Sequence, residues 1–375
     1  MTHWIRQYGG SLLVVVLAFA YLTRMYNLHL PEGYMFDEVY HGATAKLIAN
    51  NDPRAFEWWN PPPEPDTAVD WLHPPLAKYF QAASILAFGE NSFGWRFSSV
   101  VFGVLVIVIT YHLSLALFKN QALAVAAAAL SSLDGLLLVQ SRIAMNDIFV
   151  TFFMLLSVYF YVTFKKKRQT RILLAIGMST GLAIASKWSG LFILSAILLL
   201  EGFELVCYVL RNSLRQSLLK HSLGSLVRKL LLYVAALIVL PATIYVLSYG
   251  QMFLQGKDFK HFIELHEQIW HYQTHLEATH PYQSRPWQWA LNLRPVWYRV
   301  EYLTGTRSDV YAFGNPALFW FGLGAIAYTF ILGTQYLLQF RQIKASSATK
   351  LKKIIFSIRD SPFLVLITCY LLVWI

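Results

Sequence analysis

Charge is scarce in this chain. Only 14% of its 375 residues are Asp, Glu, Lys or Arg, where a soluble globular protein carries roughly 25%. Beside 56% hydrophobic and 16% aromatic residues, that scarcity argues against a soluble enzyme of this length. It argues equally against disorder, which needs low hydrophobicity and high charge. Cysteine is almost lacking: Cys207 and Cys369 both fall inside apolar runs and read as small packed side chains, not a disulfide or a metal pair. No Walker motif, HExxH or dinucleotide glycine loop occurs, so ATP-driven transport and zinc proteolysis lose their usual signatures. What remains is a polytopic, all-α membrane protein.

Apolar segments of roughly 17–25 residues cross a bilayer as helices. The sequence predicts spans at Gly10–Met25, Phe97–Phe118, Gln121–Val139, Ile148–Phe164, Ile172–Ser186, Trp188–Leu210, Leu230–Tyr249 and Pro316–Leu338. A ninth runs from Pro362 to Ile375 and is expected to be incomplete. Ile172–Ser186 runs into the next span through Lys187, which suggests a tight hairpin. With a cytoplasmic N-terminus, the inside segments are Arg6, Lys119, 165–171, 211–229 and 341–359. They hold 18 of the 31 basic residues, and 17 of the 20 acids fall outside or near outer span ends. This satisfies the positive-inside rule. The net charge of +11 therefore tracks topology rather than nucleic acid.

Two outside segments, 26–95 and 250–314, are too long to be connectors, and such loops are usually functional. The first holds two amphipathic stretches, His41–Asn50 and Pro75–Phe88, that suit short interfacial helices. The expected organisation is a catalytic module over 1–249, the second outside loop over 250–314, and the start of a further membrane region over 315–375.

Asp37-Glu38, in GYMFDEVYHG, places two acids among aromatic and apolar neighbours, where carboxylates are costly without a purpose or partner. They could supply a general base, bind a divalent metal or cationic substrate, or be a solvated loop pair. In WLHPPLAKYF, Pro74 and Pro75 would start a helix, leaving His73 before it and Lys78 one turn in. Lys78 could equally snorkel. Arg96 stands at the outer end of the second span, where a guanidinium can grip a phosphate or anchor the helix. Arg142 and Asp147, in SRIAMND, could pair with each other or face the first loop across a shared cavity. Lys187 lies between two apolar runs, and ionisable groups in such places tend to be functional. Asp134 also lies within a span, close enough to its outer end to hydrate. HPYQSRPWQW (280–289) and the GNP at 314–316 could stack on sugar or peptide, or form an aromatic belt.

The ordered set FDEVYHG, HPPLAK, WRFSS, SRIAMND, GLAIASKWSGL, HPYQSRPWQW and GNP resembles the protein O-mannosyltransferase family of C-type membrane glycosyltransferases. The resemblance implies that fold and an inverting transfer of mannose from a polyprenyl-phosphate-linked donor to Ser or Thr of a translocated polypeptide. It makes Asp37 the base with Glu38 beside it and gives the donor phosphate to Arg96. His73, Lys78, Arg142, Asp147 and Lys187 would surround the cavity, with His280, Tyr282 and Asn315 as outer-loop contacts. No cofactor is required, and a divalent metal stays open. Membrane lipids and the translocation machinery are further expected partners, nucleic acid is not, and the setting would be a bacterial cytoplasmic membrane with the site on its outer face. Eukaryotic members carry a β-trefoil module in the second loop, for which this one is too short, so the bacterial type fits better. Members also continue past Ile375, so a truncated chain is expected. Two other readings are a lipid-phosphate-sugar transferase acting on lipid A or another glycan, and a transporter or flippase without covalent chemistry.

Overall fold

The computed structural model describes residues 2–213, 223–279, 283–341 and 362–374. Four described helices are long and apolar enough to cross a membrane: Ser92–Phe118, Asp147–Lys167, Val227–Ser248 and Pro316–Gln335. Shorter apolar helices cover Gly9–Met25, Gln121–Ser132, Thr170–Ser186 and Phe363–Leu372. The protein is an integral membrane protein.

Helix α1 (Thr2–Met25) leads into the first long loop, which is built from α2 (Glu38–Ala49) and α3 (Leu76–Phe88). Pro75 precedes α3, as the proline pair predicts. Helix α2 is buried around most of its circumference and α3 along one side. In α3, Phe80 stacks on Phe149 with ring centroids 5.7 Å apart and packs against Phe102 at 4.6 Å. This locks the loop onto α4 (Ser92–Phe118) and α7 (Asp147–Lys167).

The α4–α5 hairpin is punctuated by its caps. Asn91 accepts from Gly94 N at the start of α4, and Lys119 ends that helix in the left-handed region. Asn120 then accepts from Ala122 N and Leu123 N to start α5 (Gln121–Ser132), relieving orphan amides at the helix end. The predicted span Gln121–Val139 is not one helix. It breaks at Leu133–Asp134, because the Asp134 carboxylate accepts from Leu137 N at 2.8 Å and caps a separate short α6 (Gly135–Gln140).

Helices α7, α8 (Thr170–Ser186) and α9 (Gly190–Ser213) continue the bundle, and only Lys187–Ser189 separate the last two. Ser157 of α7 donates to Ser179 of α8 at 2.8 Å. A π-helical turn at Ala235–Val239 joins α10 (Leu223–Val234) to α11 (Leu240–Ser248). Its backbone lies so close to α8 that a Cβ on Gly177 would sit 1.8 Å from the Ala236 carbonyl oxygen. Small residues permit such close crossings between membrane helices.

The second long loop folds as α12 (Gly250–Leu254), α13 (Phe259–His275), α14 (Pro286–Ala290) and an antiparallel hairpin of β1 (Val296–Leu303) and β2 (Thr306–Ala312). This hairpin is the one departure from an all-helical chain among the described residues. Gly305, at φ 78°, is the second of the two turn residues, a position where positive φ favours glycine. Helices α15 (Pro316–Arg341) and α16 (Pro362–Trp374) follow. Cys369 is a free, half-buried cysteine packed against the core around Tyr161 and Ile197.

Candidate functional site

The adjacent acids separate at the start of α2. Phe36 takes a left-handed conformation at φ 52°, Asp37 occupies the cap position and Glu38 is the first helical residue. Successive helical side chains diverge by about 100°, so one acid is directed into the protein and the other is left beside the polar cluster. Glu38 has no exposed surface. Its Oε1 accepts from Arg96 Nε at 2.8 Å and Ala144 N at 2.9 Å; its Oε2 accepts from the Arg96 guanidinium at 2.7 Å and Met35 N at 2.9 Å.

Arg96 is equally buried. Beyond Glu38, it donates to the carbonyls of Leu28 at 3.2 Å, Pro31 at 2.8 Å and Gly33 at 3.0 Å. A guanidinium has five N–H donors, and these bonds use them all. The geometry therefore departs from the expectation that Arg96 grips a phosphate: no donor remains for one. Glu38 likewise has its carboxylate committed to the same knot.

Asp37 is half-buried and makes no side-chain hydrogen bond among the described residues. Burial pushes its carboxyl above the ordinary range. Asp147 and Asp70 add to that, while the positive charge of His41 and Lys187 opposes it. Lys187, extended between α8 and α9, donates to Asp147 at 2.8 Å. Arg142 does not pair with Asp147; it donates to the carbonyls of Thr23 at 2.8 Å and Asn27 at 3.4 Å.

The other residues singled out in the first loop meet on a carboxylate that sequence reasoning passed over. Asp70 contacts His41 Nδ1 at 2.7 Å, His73 Nδ1 at 2.8 Å and Lys78 Nζ at 3.0 Å. Its backbone N–H donates to Thr44 at 2.7 Å, and Lys78 also donates to the carbonyl of His73 at 2.9 Å. Lys78 is 2% exposed, so it does not snorkel. Burial alone would raise the Asp70 carboxyl, but Lys78, His73 and His41 outweigh it and hold that group well below the usual carboxylate range. A small cavity opens beside this cluster, lined by Asp70, His73, Lys78, Tyr249 and Leu265.

His41, Asp70 and His73 place three potential ligand atoms within 4.8 Å of one another. Their N···O contacts of 2.7 and 2.8 Å are hydrogen-bond lengths. Tetrahedral ligands about 2.1 Å from zinc lie roughly 3.4 Å apart. The Lys78 ammonium already occupies the same carboxylate. As arranged, the cluster is a hydrogen-bonded knot that does not fit tetrahedral zinc.

From the second loop, Tyr298 stacks on Phe36 with centroids 4.2 Å apart and accepts a hydrogen bond from Gln140 at 2.9 Å. Arg299 donates to the Tyr34 carbonyl at 3.0 Å. The hairpin thus buttresses the turn that carries Asp37. Asn315 instead belongs to the joint near Asp134: its backbone N–H donates to the Asp134 carboxylate at 3.0 Å and its side chain accepts from Ala317 N at 3.1 Å. His280 and Tyr282 lie outside the described residues. Of the residues missed, Asp70 had a signal, an acid three positions before His73 in a largely apolar stretch. His41 lies inside the FDEVYHG string that carries the resemblance, whereas Tyr298 had no signal stronger than residue type.

Residues 14–253 match the model of a family described as dolichyl-phosphate-mannose-protein mannosyltransferase, and residues 258–375 match the C-terminal four-TMM region of protein-O-mannosyltransferase. Among similar curated proteins, the polyprenol-phosphate-mannose–protein mannosyltransferase of Mycobacterium tuberculosis is 25% identical over 312 residues, 68% of this chain and 59% of that protein. The protein of the same name from Corynebacterium glutamicum is 26% identical, over 66% of this chain and 58% of its own length. The chain spans about three-fifths of these relatives. Among solved structures, the Saccharomyces cerevisiae Pmt1-Pmt2 complex bound to the sugar donor gives a TM-score of 0.49 at 22% identity, over 64% of this chain and 33% of that one. Because the first family model alone takes in Asp37, the Asp70 cluster and Lys187 and covers more than half of the sequence, the chain belongs to the dolichyl-phosphate-mannose-protein mannosyltransferase family.

Proposed function

We propose that this protein transfers mannose from a polyprenyl-phosphate-linked donor to Ser or Thr hydroxyls of secreted or membrane polypeptides, with Asp37 as the base. The observation that carries the reading is the Asp37 carboxylate itself. It has no side-chain hydrogen-bond partner among the described residues, lies beside two pairs of opposite charges, and is raised by burial toward a working pH. A base is most effective when its pKa approaches that of its surroundings.

In the proposed step Asp37 takes the proton of the acceptor hydroxyl as that oxygen attacks the anomeric carbon. The carbon–oxygen bond to phosphate breaks and its electron pair leaves with the lipid phosphate, so the anomeric centre inverts. Lys187 and Arg142 are the basic groups best suited to meet the charge left on phosphate, where fixed positive groups stabilise a transition state. Arg96 acts one layer behind. With Glu38 it fixes the turn before α2 and so the direction of Asp37. Asp70, held by His41, His73 and Lys78, fixes the opposite wall. By the same reading the protein resides in a bacterial cytoplasmic membrane, opens its site to the outer face and meets acceptors as they leave the translocation machinery.

The test uses reconstituted protein, polyprenyl-phosphate-linked radiolabelled mannose and a Ser/Thr-rich peptide. Label should reach the peptide with wild type and be lost with Asp37→Asn, while donor binding persists. Equal labelling by Asp37→Asn would remove that residue as the base. Donor binding without transfer to peptide by either protein would point to another acceptor.

A further inference from the structure

Helix α13 carries two apolar arcs, and only one is covered. Phe262, Leu265 and Ile269 are buried against Leu47, Ile48 and Tyr249. The second arc is bare: Phe259 is 58% exposed, Ile263 43% and Trp270 64%. At about 100° per residue these three fall within about 40° of one another. The remaining side of the helix is polar, with Lys260, Gln268 and His271 exposed and Lys260 paired to Glu264 at 3.5 Å. A helix packed on a globular body needs one apolar face; the second arc is surplus to that packing.

We propose that α13 lies in the membrane surface on the side of the candidate site, with Phe259, Ile263 and Trp270 in lipid. Continuity with the preceding span selects this occupant. The span formed by α10 and α11 exposes Val239 and Leu247, as a lipid-facing helix does. Leu254, in the short segment after it, is 91% exposed and stands five residues before Phe259. Exposed apolar side chains therefore recur along the chain from the spanning helix to the start of α13. An apolar arc with tryptophan, flanked by charged and polar residues, is the pattern of helices that lie in the interface. The buried side of the same helix supplies Leu265 to the cavity beside Asp70 and His73. Lipid contact would thereby hold one wall of the site at a fixed height above the bilayer.

The test is spin-label accessibility in the full chain, reconstituted in phosphatidylethanolamine–phosphatidylglycerol vesicles with Cys207→Ser and Cys369→Ala. Single labels go at the exposed positions Phe259→Cys, Ile263→Cys and Trp270→Cys, and at Lys260→Cys, Gln268→Cys and His271→Cys. The first three should collide severalfold more with dissolved oxygen than with a water-soluble nickel chelate, and the second three the reverse. Preference for nickel at all six positions overturns the proposal, because the arc then faces water. Shielding of the first three from both agents overturns it in favour of a protein cover, and label–label broadening would identify a second copy as that cover. Mannosyl transfer enters none of these readings, so the result stands apart from the fate of the proposed reaction.

Discussion

Removing the Glu38 carboxylate should unfold the region around Asp37 before it touches the chemistry directly. In Glu38→Ala, two N–H groups of Arg96 and the backbone N–H groups of Met35 and Ala144 lose their acceptor together. A buried donor left unsatisfied costs about 1–3 kcal/mol, so four give an upper bound that relaxation reduces. Breaking one side of a buried ion pair costs about 3–5 kcal/mol, and the complete burial of both partners places this pair within that range. Arg96→Ala should cost a similar amount, and the double variant much less than their sum, since each single change already removes the shared contact. Reversible unfolding in mixed detergent micelles, followed by circular dichroism for both singles and the double, measures this directly. Donor affinity of the folded fraction, measured in parallel, should change less than tenfold. If Arg96→Ala kept wild-type stability yet lost donor binding by a hundredfold, Arg96 would be a phosphate ligand and the brace assigned to it here would be wrong.

The other predictions concern the base, the hub and the helix crossing. Asp37 must be ionised to accept a proton, so turnover should fall as pH drops through a midpoint above the ordinary aspartate value of about 3.9. Lys187→Gln removes a charge that favours the ionised form and should move that limb to higher pH in a pH–rate profile; an unmoved limb would separate Lys187 from Asp37. Asp70→Asn leaves a buried Lys78 ammonium without its counter-charge and should destabilise the protein by about 3–5 kcal/mol in the same unfolding assay. Gly177→Ala forces a methyl against the Ala236 carbonyl and should cost about 1–3 kcal/mol, whereas Gly202→Ala, in a helix with open space around it, should stabilise by up to about 1 kcal/mol.

Local features of this fold were legible where one residue dictates a local geometry. Pro74 and Pro75 announce α3, and Lys187 marks the turn between two apolar runs; the caps at Asn91 and Asn120 went unread, and the helix placed from Phe97 starts at Ser92. The break inside Gln121–Val139 was harder to see, because its cause is one carboxylate, Asp134, inside an otherwise apolar stretch. Long-range pairing was the real limit. Nothing local says that Glu38, not Asp37, meets Arg96 58 positions away, since the choice depends on which side of α2 packs against α4. Asp70 was equally hidden: its meaning comes from His41 on one element and Lys78 on another. The hairpin was lost among aromatic residues that suit a strand and a membrane belt equally well.

The stacking of Tyr298 on Phe36 bears on how the family can be recombined. The two stretches that match separate family models, 14–253 and 258–375, look like exchangeable cassettes. They meet, however, across several contacts, and one of these is an aromatic pair one residue from the proposed base. A chimera joined near residue 255 would inherit its carboxylate from one parent and the ring that steadies it from the other. Exchanges among relatives should therefore depend on the match between positions 36 and 298 as well as on the other contacts across this boundary. In that sense the heritable unit of this site is a pair of distant aromatic positions, and the boundary between the two modules runs through the middle of it.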